Sequence, residues 1–317
     1  MKFTTTLLAA ALAVLPAVRA HGTVSLFVAN GKTYSAPDAA EGNPFKKTPT
    51  PVRQLELLEP ITDLNSNDMI CGRGTPPKAS EVASIAAGSE FSFQMRGGSG
   101  APWPHDKGPV MFYLAQCPGS ADECDQSNLK WFKIDEKGLR GQNSWYQEDL
   151  QQGKAVSGTI PSDLKSGDYL LRIEILAIHN AMRVGGAETS VSCTQLHVTG
   201  GGSAVPSASD LVTFPGAYKA TDPGILVDIW NNFTSYDFPG PAVFKASGSG
   251  SAPAPSSSAT TKPTASAPIN AAPAPTSNKP SSTSVAPSPT KTTCKRSARH
   301  RRARALMNHA REFSPSH

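Results

Sequence analysis

The sequence predicts an all-β fold, an antiparallel β-sandwich with long loops, from three observations. Short apolar or alternating runs recur between residues 21 and 245, turn-rich stretches separate them, and helical periodicity is scarce. The first run, residues 23–28, alternates toward Asn30-Gly31, a dipeptide that favours the type I′ turn of a hairpin. Residues 90–95, 110–114, 169–178 and 194–198 follow as further strands. Gly97-Gly98-Ser99-Gly100 and Gly200-Gly201-Gly202 break the chain between them. One short helix is expected at residues 224–230, after Asp222-Pro223.

Composition narrows the class. Hydrophobic residues are 38% and charged residues 17% of 317, with 28 Pro and 26 Gly, which excludes a multi-span membrane protein and a coiled coil. The net charge of +5 is unevenly spread. Residues 291–317 hold eight Lys and Arg, whereas residues 21–245 hold 18 basic against 24 acidic residues, about −6. The folded part is therefore not expected to bind nucleic acid.

Residues 1–20 pair Lys2 with the apolar run Leu7 to Val18 and a small-residue end at Ala20, the pattern of a secretory signal. That run is short of the ~20 residues a membrane span needs, so a secreted, extracellular protein is expected. Cleavage after Ala20 makes His21 the new N-terminus. Of five cysteines, Cys71, Cys117, Cys124 and Cys193 fall in the body, an even number that suggests two disulfides in an oxidising compartment. Cys117 and Cys124 are close enough to staple one loop, and Cys71 with Cys193 would then tie distant segments; Cys294 is left over. Asn232-Phe233-Thr234 is an N-glycosylation sequon. One domain is expected over 21–245. Residues 246–293 are a Ser/Thr/Ala/Pro-rich linker with too little apolar content to fold. Residues 294–317 form a basic tail, either a solvated cationic segment or an adhesive one for anionic surfaces.

Four histidines in the body bear on chemistry: His21, His105, His179 and His197. An N-terminal histidine offers its α-amine and its imidazole to one metal ion, and nitrogen donors in a planar arrangement suit Cu(II). His105 lies in a loop just ahead of a strand, where a rigid scaffold can hold a ligand. His179 ends a strand nine residues before Glu188, and by itself reads as a satisfied buried histidine. His197 alternates with Leu196 and Val198 and reads as a surface strand residue.

The motifs then resemble a known family. His21-Gly22-x-Val24 after a signal segment is similar to the start of the fungal family AA9 lytic polysaccharide monooxygenases. The likeness continues through Asn67-Asp68-Met69-Ile70-Cys71, Trp103-Pro104, Gly108-Pro109-Val110 and Phe132-Lys133-Ile134. Gly167-Asp168-Tyr169-Leu170-Leu171-Arg172, Thr221-Asp222-Pro223-Gly224-Ile225 and Pro239-Gly240-Pro241 complete it, over about 225 residues.

The resemblance implies an immunoglobulin-like sandwich with one copper ion on a flat face. His21 supplies two nitrogens and a loop histidine the third; Cys71–Cys193 and Cys117–Cys124 match the family's bridges; Tyr236 corresponds to the aromatic that lies against polysaccharide. His179 would orient or protonate the oxygen species, with Glu188 at the family's glutamine and Ser190 at its axial tyrosine. Ahead of Gly108-Pro109 the family's histidine slot holds Asp106, with His105 one place earlier in a shortened loop. His105 is the expected third ligand because an imidazole suits copper better than a carboxylate does, with Asp106 the alternative. The implied activity is oxidative cleavage of cellulose or another β-1,4-glucan at C1 or C4 by a monomer, using O2 or H2O2 and an external electron donor. The alternative is a non-hydroxylating copper-binding or wall-associated protein on the same scaffold.

Overall fold

The computed structural model describes residues 22–36, 49–97, 100–231 and 233–245. The signal segment, His21, Asn232, the linker, the basic tail and Cys294 lie outside them. In chain order the strands are β1 (Gly22–Ala29), β2 (Lys32–Ser35), β3 (Ala83–Ala86), β4 (Glu90–Gly97), β5 (Val110–Gln116) and β6 (Phe132–Lys137). They continue with β7 (Leu139–Gly141), β8 (Ser144–Trp145), β9 (Val156–Thr159), β10 (Gly167–Ala177) and β11 (Glu188–Thr199). Among the described residues the α-helices are two short ones, α1 (Asp68–Cys71) and α2 (Gln147–Gln151), and Ala208–Asp210 forms a 3-10 turn.

These strands make two sheets, ordered β2-β1-β4-β9 and β3-β11-β10-β5-β6, plus the β7-β8 ribbon. The β1–β2 hairpin turns at Asn30 and Gly31, both at positive φ (49° and 72°), as a type I′ turn requires. Pairing is antiparallel except between β3 and β11, which run parallel, so the second sheet is mixed. The helix expected at 224–230 does not form; the segment is a chain of turns. Gly224 lies so close to the Asp237 carbonyl that a Cβ there would sit 2.1 Å from its oxygen, and the packing of that neighbouring loop overrides local propensity.

The period-2 rule explains the core. Along β5, Val110, Phe112 and Leu114 point between the sheets, where they meet Phe27, Phe91, Phe93, Leu171 and Ile173. Met111, Tyr113 and Ala115 point the other way, into a second core with Trp131, Trp145, Leu170 and the four bridged cysteines. With both faces covered, β5 reads as a nearly continuous apolar run, and β10 as one interrupted inside only by Arg172 and Glu174. Cys71 is bonded to Cys193 and Cys117 to Cys124.

The second core holds one charged pair. Arg172 and Glu174, both fully buried, form an ion pair on β10. Arg172 also donates to the carbonyl of Met69 (2.8 Å) and lies 3.7 Å from the centre of the Phe214 ring. Glu174 accepts from the Tyr218 hydroxyl at 2.7 Å. This pair fixes α1, and with it Cys71, against the sheet.

Candidate metal centre

The site forms where three segments of the second sheet meet. Ala177, the last residue of β10, pairs with Glu188, the first of β11, so His179 emerges beside Glu188. The third segment is the loop 103–109 that leads into β5. It extends the ladder beyond the strand ends, because Leu176 N–H donates to the Pro109 carbonyl and Ile178 N–H to that of Lys107. Gly108 makes this approach possible. Its φ is +130°, and a Cβ there would lie 1.9 Å from the Leu176 carbonyl oxygen.

Side chains lock the same loop. Buried Trp103 donates its Nε1–H to Gln147 on α2, whose amide nitrogen donates to the Leu176 carbonyl at 2.9 Å. Lys107 Nζ reaches the Asn143 carbonyl (3.1 Å), Asp106 Oδ2 (3.0 Å) and Glu148 Oε1 (3.5 Å). Burial, the largest influence on the Glu148 carboxyl, pushes its pKa up. Hydrogen bonds from the Ser144 hydroxyl and the Trp145 N–H, with the charge of Lys107, outweigh it and hold the pKa below the ordinary value of 4.5.

Held in this way, His105 and Asp106 diverge. The His105 ring stacks on that of His179 with centroids 4.6 Å apart and planes inclined by 21°, and meets Trp103 edge-on. His105 Nε2 lies 3.7 Å from Glu188 Oε2, with both side chains mostly buried. His105, His179 and Glu188 each offer one ligand atom, and these atoms all lie within 4.8 Å of one another. Asp106 instead turns to Lys107. Among the described residues His179 Nδ1 is buried without a hydrogen-bond partner, unlike the satisfied buried histidine that the residue by itself suggests. His197 is exposed on its strand and faces Asp168 at 3.4 Å.

Ser190 is half-buried two residues further along β11 and lines a small space of about 10 Å³ together with Gly22. Gly22 is pressed against β4, where a Cβ would lie 1.9 Å from the Arg96 carbonyl oxygen, so only glycine brings the chain start this close. His21 lies outside the described residues, but its neighbour ends beside Ser190.

Tyr236 is not the exposed aromatic of this region. Its ring packs edge-on against Trp145 and Phe238, and its hydroxyl donates to the Gly224 carbonyl at 2.7 Å. The exposed ring is Trp230, 52% accessible, whose indole N–H donates to the carbonyl of His179 at 3.1 Å. Trp230 also lines an open cleft of about 500 Å³ with Gln142, Asn143, Phe233 and Thr234. Sequence reasoning passed over Trp230, although it was the one aromatic of its segment assigned to a helix that does not form.

Residues 21–237 match the model of Auxiliary Activity family 9, formerly GH61. The chain belongs to this family. The AA9 assignment is supported by the AA9 family lytic polysaccharide monooxygenase D of Gloeophyllum trabeum, 42% identical over 238 residues, which are 74% of this chain and 67% of that protein. The monooxygenase H of Malbranchea cinnamomea is 40% identical over 249 residues, 76% of this chain and 99% of its own length. Among solved structures, Cel61B of Hypocrea jecorina superposes with a TM-score of 0.64 at 33% identity, over 71% of this chain and all of that one. AA9 membership makes the chain a polysaccharide monooxygenase by class, acting by oxidative cleavage.

Proposed function

We propose that this AA9 chain is a secreted, copper-dependent monooxygenase that cleaves a β-1,4-glucan such as cellulose at C1 or C4. The observation that carries the reading is the convergence of His105, His179 and Glu188 beside an exposed tryptophan on one face of an AA9 scaffold. The residues present fit copper in their chemistry: imidazole nitrogens suit it, and His105 presents one beside Glu188 and His179. His21, through amine and imidazole, and His105 would hold the ion, with His105 favoured over Asp106 because Asp106 is engaged by Lys107. When bound, copper supplies the redox chemistry that turns O2 or H2O2 into an oxidant able to take a hydrogen from the sugar, with electrons from an external donor.

The chain's own residues do the rest. His179, its carbonyl fixed by Trp230, holds or delivers a proton at its imidazole next to the reacting centre. Glu188, mostly buried against His105, takes the partner role in that proton handling. Trp230 offers a flat apolar face to the C–H surface of a pyranose ring. Gln142, Asn143 and Thr234 line the cleft beside it and can bond sugar hydroxyls.

The second reading, a copper-binding protein without this activity, is favoured by Ser190, a short hydroxyl side chain where the resemblance places a tyrosine. Copper-loaded protein that begins at His21, incubated with cellulose or xyloglucan and peroxide, decides between the two. Oxidised oligosaccharides support the enzyme; tight copper binding without products supports the binding protein.

A further inference from the structure

We infer that His105, His179 and Glu188 form a three-side-chain site for a divalent first-row metal ion that does not require the N-terminal residue. The inference rests on these three side chains and holds whether or not the chain oxidises glucan.

Distances make the first argument. His105 Nε2 and Glu188 Oε2 are 3.7 Å apart. Two donors at that separation, each bonded to an ion at about 2.0–2.2 Å, subtend roughly 115–135° at the metal, inside the range of four- and five-coordinate sites. The widest separation in the group is within 4.8 Å, so the donors close around an ion once they draw together by several tenths of an ångström and one of the stacked rings turns its lone pair inward.

The second argument is the unsatisfied nitrogen. A buried imidazole nitrogen without a partner is costly, and among the described residues nothing satisfies His179 Nδ1. A metal bond at that atom would. The third is charge. Glu188 stands where the resemblance places a neutral glutamine, so this chain brings a carboxylate to a pair of imidazoles. Two histidines and one carboxylate are a donor set that binds first-row divalent ions while leaving positions open for water or a small ligand.

Bonds within the described residues hold each of the three ligands. His105 is set by the ladder bonds at Lys107 and Pro109, His179 by Trp230, and Glu188 by its pairing with Ala177. Because His105 belongs both to this set and to the proposed copper ligands, an ion held by the three side chains competes with copper chelated through His21.

The test uses the chain begun one residue ahead of His21 and continued to His317, which removes the amine–imidazole chelate. Titration with Zn(II) should show one ion bound, with Glu188→Gln and His179→Ala each weakening binding at least tenfold. His197→Ala, on the exposed strand, should leave the affinity within twofold. Cu(II) on the same extended protein should give an EPR spectrum with coupling to two imidazole nitrogens, a readout that stands even if a variant fails to fold. Absence of that coupling, unchanged affinity in Glu188→Gln, or loss of the ion in His197→Ala would each overturn the inference. Missing oxidised products from the natural N-terminus, with Zn(II) still bound by the extended form, would count against the enzyme alone.

Discussion

Removing the exposed indole should weaken adsorption to crystalline glucan without unfolding the protein. Trp230 is 52% accessible, and a tryptophan presents about 250 Å², so roughly 130 Å² of ring lies in solvent. Stacking on a planar sugar surface covers one face, about 65 Å². At 25–30 cal/mol per Å² that burial contributes about 1.5–2 kcal/mol, a ten- to thirtyfold effect on partitioning. Little entropy opposes it, because the indole N–H is already tied to the His179 carbonyl at 3.1 Å. Depletion isotherms of Trp230→Ala on microcrystalline cellulose measure the loss directly. Trp230→Phe keeps an apolar face and gives up the tether, so it should retain more than half of the binding free energy. Tyr236→Phe is the complementary variant: it loses the bond to Gly224 and about 1 kcal/mol of stability but adsorbs like the parent. A Trp230→Ala isotherm within twofold of the parent, or a large loss in Tyr236→Phe, would refute the assignment of the binding face.

Four further outcomes follow from the packing. Arg172→Met should destabilise by about 3–5 kcal/mol, because it leaves Glu174 buried and uncompensated, and adding Glu174→Leu should recover most of that in urea unfolding. Opening Cys71–Cys193, which closes a loop of sequence separation 122, should cost about 5 kcal/mol in the chain-entropy model; an unchanged denaturation midpoint with both thiols titrated would contradict it. Truncation after Lys245 should leave the melting temperature unchanged, whereas Phe244→Ala should cost about 3 kcal/mol, since Phe244 is buried edge-on against Phe132 and its N–H donates to the Lys133 carbonyl. Glu148 titrates below its ordinary 4.5, so its stabilising effect is complete above that pH and is lost as the pH falls through the lowered value; Glu148→Gln should flatten the acid limb of a stability–pH curve.

How much the sequence discloses differs between the scaffold and the site. Strands β1, β4, β5, β10 and β11 are visible as alternation or largely apolar runs because they carry the buried faces, and β2 is implied only by the Asn30-Gly31 turn before it. Strand β3 is not, since Ala83–Ala86 has small side chains and exists through its parallel pairing with β11. Strand β9 is hidden for a similar reason: Gly158 weakens any strand signal, yet its missing side chain is the space that the Phe91 and Phe112 rings occupy. Ile225 and Ile229, four apart, mimic a helix in a segment whose backbone is dictated by contact with Asp237. At the site, spacing alone could not decide between His105 and Asp106. Their directions depend on ladder bonds at Lys107 and Pro109 and on where Lys107 finds its partners. Nor could it tell which aromatic faces outward, because Tyr236 is drawn in by a hydroxyl bond to a carbonyl twelve residues away.

The burial of the cystine bridges bears on how long such a protein lasts at work. The proposed reaction consumes a reductant, and thiol reductants that deliver electrons to a metal also attack disulfides by direct contact at sulfur. Cys71 and Cys193 are both fully enclosed, beneath α1 and against the sheet. The bridge sits on β11 only five residues from Glu188, so its cleavage would loosen the strand that presents that carboxylate. Enclosure keeps the fuel away from the fastening: a thiol must wait for the strand to open before it can reach the sulfur. Resistance to its own co-substrate is thus a property of the core, and it should fail first in variants that open α1.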